Sequence, residues 1–281
     1  LLAARMTPLT AAIVQPAEAC LGRLAAEDIF STIDLPRTHN AAVDGYGVLA
    51  KTLADAPATA FNIVGVARAG HPHKGVIDAG EAIEIYTGAI MPGGPDCVAM
   101  HEDCQRNGDQ VVINKSLKPG SNMRSPGENL AKGEAVITKG QRITAALIGQ
   151  IAAAGHKDIA VQQALSVAVL STGDEVIEAG NRLADGQIFD TNRPMLRALL
   201  ADPMLDVSDR GIVPDKLEAL TAAYEEALVT HDVVISSGGA SDGIEDHTQA
   251  AMQAVGADCA FWRLAMKPGR PMAVGQRGQK F

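Results

Sequence analysis

The sequence is poor in aromatic rings, in thiol pairs, in net positive charge and in long apolar runs, and each shortage excludes something. Aromatic residues make up 3% of the 281 positions against a hydrophobic content of 47%, so the interior has to be built from Ala, Val, Leu and Ile. The formal net charge of −9 excludes the broad basic field that a nucleic-acid or anionic membrane surface needs. An anionic ligand must then be gripped locally, by backbone amides and a few well-placed Lys or Arg side chains. Four cysteines, Cys20, Cys97, Cys104 and Cys259, form no Cys-x-x-Cys pair and no zinc spacing. They read as buried or incidental thiols in a reducing, cytoplasmic setting. The apolar stretch 143–155 is too short and too interrupted to span a bilayer. No signal peptide is visible. The chain opens on Leu-Leu-Ala-Ala-Arg without Met and closes at Phe281 on half a hairpin, so it is read as a piece of a longer chain.

The length predicts two domains, or three small ones. Residues 1 to about 30 read as helical, with Ala17, Cys20, Leu21 and Leu24 at i, i+3, i+4 and i+7 spacing. Between about 45 and 120, short β-rich runs at 61–66, 82–86, 97–100 and 111–113 are separated by Gly, Pro, Asn and Asp, the pattern of a small all-β domain. Residues 121–142 are turn-rich, and 143–154 predict a helix closed by Gly155 as its C′ residue. From about 165 onward, strands (166–170, 204–213, 232–235, 259–265) alternate with helices (194–200, 216–229, 245–255). Leu217, Leu220, Tyr224, Ala227 and Leu228 form one apolar stripe on the second of these helices. Such alternation predicts a parallel sheet covered by helices, with ligands at the C-terminal strand ends. The loops 171–175, 211–215 and 236–242 are therefore expected to share one rim.

The segment 232–242, Asp-Val-Val-Ile-Ser-Ser-Gly-Gly-Ala-Ser-Asp, is the most telling. A short strand stops at Ser237-Gly238-Gly239 before a helical pattern, which leaves free N–H groups aimed at one spot suited to an anion. Glycine at such a turn is also ordinary turn chemistry. A second strand end, Ser171-Thr172-Gly173-Asp174-Glu175, sets hydroxyls that suit a phosphate beside carboxylates that suit Mg²⁺ or a pterin-like edge; a solvated turn uses the same residues. Asp215-Lys216-Leu217-Glu218 fits a capping box. Asp190-Thr191-Asn192-Arg193-Pro194 fits a helix start, with Asn192 as N-cap and Pro194 in the first turn. Asp246 falls in the first turn of its helix, where a carboxylate complements the dipole, a few residues beyond Gly238-Gly239. In Lys267-Pro268-Gly269-Arg270-Pro271 the prolines stiffen the backbone that carries two cations. The first half adds His39 to Gly47 around an isolated Asp44, the glycine-rich loop Thr87 to Gly94, and Asn122 to Asn129 with Arg124 in a tight turn. None of these three identifies a function alone.

Together and in this order, the segments resemble the molybdopterin molybdenumtransferase family, MoeA in bacteria and the gephyrin E domain in animals, over nearly the whole chain. The family's Asp-Asn-Ser-Ala-Met-Asp-Gly-Tyr pattern is similar to His39-Asn40-Ala41-Ala42-Val43-Asp44-Gly45-Tyr46. Its Thr-Gly-Ala…Pro-x-Gly-x-Asp loop resembles Thr87 to Asp96, and its Arg-x-x-Gly-Glu-Asp turn resembles Arg124 to Asn129. Its Ser-Thr-Gly-Asp-Glu, Asp-x-Asn-Arg, Ser-Gly-Gly-x-Ser and Lys-Pro-Gly-Lys-Pro elements resemble those at Ser171, Asp190, Ser237 and Lys267. The resemblance implies a multidomain α/β fold: a MogA-like three-layer α/β domain with a parallel-rich sheet, a β-rich domain, and a helical or extended linking domain. It divides the chain into a discontinuous linking and dimerisation part (1–45 and 121–164), a β-rich part (46–120) and the molybdopterin-binding α/β part (165–281).

The resemblance also implies a reaction. Adenylylated molybdopterin and molybdate are the substrates, the phosphoanhydride is cleaved, AMP leaves, and molybdenum stays on the dithiolene sulfurs, with Mg²⁺ required. Catalytic roles fall to Asp44, Thr87, Arg124, Glu175, Asp215, Asp246 and Lys267. The first three would reach across from the partner in an elongated homodimer. Binding roles fall to Ser171, Thr172, Gly173, Asp174, Asn192, Ser237, Gly238, Gly239, Ser241, Pro268, Gly269 and Arg270, and Mg²⁺ to Glu175, Asp215 and Asp246. A MogA-like adenylyltransferase and a recipient molybdoenzyme are implied partners; nucleic acid and membrane are not. Asn129 stands where the family has Asp, Ala41 where it has Ser, and Arg270 where Lys is common, which changes hydrogen-bond geometry at a phosphate contact. The family's Gly-Leu-Pro-Gly-Asn-Pro loop and C-terminal β domain are not in this sequence, so weak or no molybdenum insertion is expected from this piece alone.

Two rivals remain. A non-catalytic pterin- or nucleotide-binding module keeps the fold, but phosphate binding alone gains nothing from Glu175, Asp215 and Asp246 near the anion. An adenylyltransferase of the MogA type, or a nucleotide hydrolase of the CinA type, lacks a use for the β-rich half with Asp44 and Thr87.

Overall fold

A computed structural model describes residues 5–8, 10–53, 58–238, 247–263 and 271–281. In chain order the first strands are β1 (Ala12–Pro16), β2 (Ile29–Phe30), β3 (Asn40–Ala41), β4 (Gly45–Val48), β5 (Thr59–Ala67) and β6 (Glu81–Ile85). There follow β7 (Cys97–Met100), β8 (Cys104–Asn107), β9 (Gln110–Ile113), β10 (Met123–Arg124), β11 (Ala135–Ile137), β12 (Asp158–Gln162) and β13 (Leu165–Thr172). The last are β14 (Val176–Ile177), β15 (Ile188–Phe189), β16 (Leu205–Val213), β17 (Val233–Ser237), β18 (Asp258–Arg263) and β19 (Pro271–Gln276). The helices are α1 (Ala145–Ala153), α2 (Asn192–Leu199), α3 (Leu217–Thr230) and α4 (Thr248–Ala254). Two compact units result, Asp28–Thr138 with Ala146–Lys157, and Leu1–Glu27 with Lys139–Ala145 and Asp158–Phe281.

The first of these units is built on a six-stranded sheet of order β7-β4-β6-β5-β9-β8, antiparallel except where β5 meets β6. Alternation along the strands explains why both faces are covered. Tyr46, Val48, Cys97, Ala99, Ala82 and Val111 enter one core, while Ile83, Ile85 and Val98, one residue out of step, enter another. The four short apolar runs predicted between 61 and 113 all fall on strands of this sheet. Burial pushes the Cys97 thiol up to about 12 and the Cys104 thiol up to about 11, as expected of packing thiols with no redox chemistry. Helix α1 ends as its sequence predicts: the His156 N–H donates to the Ile151 carbonyl and the Gly155 N–H to the Ala152 carbonyl, the paired bonds of a Schellman cap.

The other unit holds the parallel sheet, order β16-β13-β17. Its central strand runs Val167 to Thr172 fully buried, the mark of a strand covered on both faces. The predicted stripe on α3 is its core contact: Leu220, Tyr224 and Leu228 pack with Leu170, Ala251 and Val255. Helix α2 lies over the same strand.

Three local expectations fail. Residues 1–30 are not helical: described positions form β1, which pairs antiparallel with β12, then a 3₁₀ turn at Ala17–Ala19. β-branched Ile13 and Val14 favour the strand, and Pro16 removes the N–H that a helix would use there. The spacing still marked the buried side, since Ala17 and Cys20 are buried, although Leu21 is exposed. Helix α3 does not start with a capping box; its N-cap is Lys216, with no side-chain cap bond. Nor is Asn192 an N-cap. It is the first residue of α2, whose cap position is Thr191, and it is Asp190 that accepts the Arg193 N–H at 3.1 Å.

Candidate functional site at the end of the parallel sheet

Strands β13, β16 and β17 end side by side. Ser171 is level with Ile212 on one neighbour and Ser237 on the other, and Thr172 is level with Val213. The loops after β13 and β16, and Gly238 after β17, therefore stand on one rim, as the alternation of strands and helices predicts; residues 239–242 of the third loop lie outside the described residues. Ser171 and Thr172 are each 2% exposed, held down because the strand is covered on both faces. The Thr172 hydroxyl is buried and has no hydrogen-bond partner among the described residues, a group that an incoming polar ligand would satisfy.

One hydrogen bond ties two of the rim loops together. The Asp215 N–H donates to the Asp174 carboxylate at 3.1 Å, which joins the loops after β16 and β13. Asp174 thus acts on the helix-start segment where the capping box was expected. Beside β17, the Tyr224 and Ser236 hydroxyls share a hydrogen bond of 2.8 Å. An open, mainly apolar cleft of about 780 Å³ runs along β17, and Asn192, Ser237 and Gly238 are on its wall.

The β14–β15 pair and α2 are pinned by Arg193, which the sequence places in a helix start and in the Asp-x-Asn-Arg element with no ion-pair role assigned to it. Arg193 is 5% exposed. It donates to Asp190 at 2.8 Å, to Asp209 at 2.6 Å, and to Glu178. Burial pushes the Asp190 carboxyl up, but the Arg193 bonds outweigh this and hold it below the ordinary carboxylate range. Asp209 is held down in the same way, by Gly211, Arg193 and Arg197. The i, i+3 spacing of Asp190 and Arg193 was a usable signal; Glu178 and Asp209 lie too far along the chain to give one.

The Mg²⁺ expectation has oxygen donors of the right kind, since carboxylates suit a hard divalent cation. Glu175 and Asp215 both stand on rim loops, and the third, Asp246, lies outside the described residues. Among the described residues no three His, Cys, Asp or Glu side chains gather as a metal-holding set. Gly239, Ser241, Lys267, Pro268, Gly269 and Arg270 also lie outside the described residues.

In the β-sheet unit, backbone bonds stitch together the three turn-rich segments that carried Asp44, Thr87 and Arg124. β3 pairs with β10, placing Arg124 opposite Asn40. On its other side the Gly88 N–H donates to the Ala41 carbonyl, and the Ala41 N–H to the Ala89 carbonyl. The Asp44 carboxylate accepts both the Thr87 N–H and the Thr87 hydroxyl, each at 2.7 Å. These bonds hold its carboxyl below the usual range. Gly45 is required because β4 presses on β7: a Cβ there would collide with the Ala99 carbonyl. Arg124 is half exposed and lies 3.8 Å from Glu128.

The architecture is that of a multidomain α/β protein that pairs a β-rich unit with a helix-covered parallel sheet whose strand ends form a binding rim. Residues 1–155 match the MoeA N-terminal region (domain I and II), and residues 168–280 match a probable molybdopterin binding domain. The chain belongs to the MoeA family. It is 38% identical over 255 residues to a molybdopterin molybdenumtransferase of Haemophilus influenzae, covering 90% of this chain and 62% of that one. It is 32% identical over 264 residues to the enzyme of the same name from Staphylococcus epidermidis, covering 93% of this chain and 63% of that one. The chain thus spans under two thirds of the length of these curated relatives. Among solved structures it is similar to a molybdopterin biosynthesis MoeA protein of Pyrococcus horikoshii, with a TM-score of 0.85 and 32% identity over 99% of this chain and 71% of that one. No helix among the described residues is long and apolar enough to cross a membrane.

Proposed function

We propose that the protein of which this chain is part inserts molybdate into adenylylated molybdopterin, releasing AMP and leaving Mo-molybdopterin. The observation that carries this reading is the rim itself. In a chain of net charge −9, a doubly ionised pterin nucleotide has to be met by local donors. The ends of β13 and β17 supply Ser171, Thr172, Ser237 and the Gly238 backbone at one edge. Glu175 and Asp215, with Asp246, would hold Mg²⁺, which supplies charge neutralisation at the phosphoanhydride. Lys267 and Arg270 would contact the phosphates, with Pro268 and Gly269 shaping their turn, and Gly239 and Ser241 would extend the anion cradle begun at Gly238. Asp174 orients the Asp215 loop, and Asn192 borders the cleft.

The same reading assigns residues 1–45 and 121–164 to linking and dimerisation, 46–120 to the β-rich part and 165–281 to substrate binding. It makes the protein a cytoplasmic homodimer in which Asp44, Thr87 and Arg124 of one subunit complete the site of the other. A MogA-like adenylyltransferase would deliver the substrate, and a molybdoenzyme would take the product.

The test incubates the full-length protein with adenylylated molybdopterin, Mg²⁺ and molybdate. Molybdate-dependent AMP release is expected. Binding without turnover would replace this reading with a pterin-binding module, and ATP consumption would replace it with an adenylyltransferase.

A further inference from the structure

Arg68 has no part in the reading above, yet the chain fixes it beside the Asp44–Thr87 pair. It is the first residue past β5, and β5 runs parallel to β6 with Ala67 level with Ile85. The next backbone bond continues that ladder, from the Tyr86 N–H to the Ala67 carbonyl at 3.1 Å. The chain then turns back at once. Arg68 and His71 exchange two backbone bonds, 3.2 and 2.8 Å, around Ala69 and Gly70, and Gly70 takes the positive φ of +76° that suits so tight a turn. Ala69 lies against Gly88, whose added Cβ would come within 3.7 Å of the Ala69 Cβ. Arg68 is therefore flanked by one contact to Tyr86 and another to Gly88, the two residues on either side of Thr87.

The side chain is placed as firmly as the backbone. Its guanidinium lies 5.7 Å over the centre of the Tyr86 ring, a stacking that holds a cation and leaves the in-plane N–H groups of the fork free. The ring is itself tethered: the Tyr86 hydroxyl donates to Glu84 at 3.0 Å, and Glu84 is paired with Arg106 at 3.0 Å. Glu84 thus has a cation of its own. Arg68 is exposed, and among the described residues it pairs with no carboxylate. One residue along from Tyr86, Thr87 holds the Asp44 carboxylate through two 2.7 Å bonds. An anionic group that approaches this exposed carboxylate is repelled unless a cation stands close by, and Arg68 is a cation with its donors still open.

We infer that Arg68 binds a tetrahedral oxyanion beside the Asp44–Thr87 pair, with Tyr86 as the positioning residue that aims its fork. The planar guanidinium offers such a group two parallel N–H donors. Two parts of the substrates carry this chemistry, the phosphates of the pterin nucleotide and free molybdate. The choice of these substrates rests on the proposed function; the capacity of Arg68 to bind an oxyanion does not.

Phenylglyoxal, which modifies accessible arginines, tests that capacity in the full-length protein without any turnover. Read by peptide mass spectrometry, modification of Arg68 is expected to slow at least about threefold at saturating inorganic pyrophosphate or molybdate. Protection by molybdate and not by pyrophosphate assigns Arg68 to the metal oxyanion; protection by pyrophosphate assigns it to the phosphates. An Arg68 that the reagent does not reach, or whose rate neither anion changes, overturns the proposal. In the AMP-release assay, Arg68→Gln is expected to raise the KM of the protecting substrate about three- to tenfold and to change kcat by less than about twofold. Arg68→Lys should recover part of the loss. Tyr86→Leu should raise the same KM, and Tyr86→Phe, which keeps the ring face, should raise it less; equal rises would remove the ring from the account. Lys74→Gln removes the same charge from the same exposed segment and should leave KM near the wild-type value. A rise in Lys74→Gln as large as in Arg68→Gln would make the effect one of net charge and overturn the proposal. A wild type whose Arg68 is protected but which releases no AMP counts against the proposed function and leaves the assignment of Arg68 standing.

Discussion

A Cβ placed on Gly238 would drive into the carbonyl oxygen of Thr172. β17 and β13 approach so closely at the rim that only a residue without a side chain fits between them, and the φ of +103° at Gly238 also excludes other residues. Gly238→Ala is therefore expected to destabilise by about 2 kcal/mol or more, because backbone strain and a backbone clash add. It should also weaken binding of adenylylated molybdopterin by at least about tenfold, a loss of roughly 1.4 kcal/mol. Gly256→Ala is the control, since its φ is +75° but nothing lies within 4 Å of its added Cβ. Urea unfolding and ligand titration of the pair separate strain from clash; equal losses in both variants would remove the rim from the explanation.

Arg193→Met should cost about 3–5 kcal/mol, because it strips the partner from the buried Asp190 carboxylate and from Asp209 and leaves uncompensated charge inside the fold. Arg193→Lys should recover only part of this, since an ammonium cannot reach three carboxylates with a planar fork. Urea midpoints measure both.

The same cluster sets an acid limit. Asp190 and Asp209 are held below the ordinary carboxylate range in the fold. A depressed folded value gives stability that is fully present above the unfolded value of about 3.9 and is lost as pH falls through the lower folded value. Wild-type stability should thus fall below about pH 4, and Arg193→Met, already deprived of the contribution, should fall less steeply over that window. Parallel slopes in the two proteins would place the acid sensitivity elsewhere.

Asp44→Asn removes the charge from the acceptor of both 2.7 Å contacts between the two residues, and Thr87→Val removes the hydroxyl one. Asp44 is exposed, so the unfolding midpoint should hardly move, with a change within about 0.5 kcal/mol. On the proposed function, AMP release by the full-length protein is expected to drop at least about tenfold, because a pre-oriented charged group would be lost at the reacting centre. A large stability loss with normal turnover would make the pair structural.

How much of this was legible in the sequence depends on the distance over which each residue acts. The parallel sheet and the apolar stripe on α3 were legible, because period-2 and period-3.6 patterning over several turns reports burial directly. So was the Gly155 cap, which depends on three neighbouring peptide units. The strand β1 was not: the apolar spacing around it also fits a helix, and the partner that fixes it as a strand, β12, lies nearly 150 positions on. The expected capping box at Asp215 failed for a similar reason, since Asp174 from another loop takes the Asp215 N–H. At the site, motif residues could be named from the sequence, but the full ring of carboxylates around Arg193 exists only once strands are brought side by side.

The Mg²⁺ assignment makes a prediction that distinguishes neighbouring carboxylates. Chelation of the metal should abolish AMP release by the full-length enzyme and leave folding intact, because the hydrogen bond that joins two of the rim loops is made by protein groups alone. Glu175→Gln and Asp215→Asn should each raise the Mg²⁺ concentration for half-maximal turnover, by roughly tenfold or more for loss of one anionic oxygen ligand. Asp174→Asn should behave differently, although it stands next to Glu175. Its carboxylate is engaged by the Asp215 N–H at 3.1 Å, and an amide oxygen can still accept that bond. Its Mg²⁺ requirement should therefore stay near the wild-type value while KM for the pterin nucleotide rises modestly. A shift in Mg²⁺ requirement as large in Asp174→Asn as in Glu175→Gln would mean that the metal is held by the loop as a whole and not by the two assigned side chains.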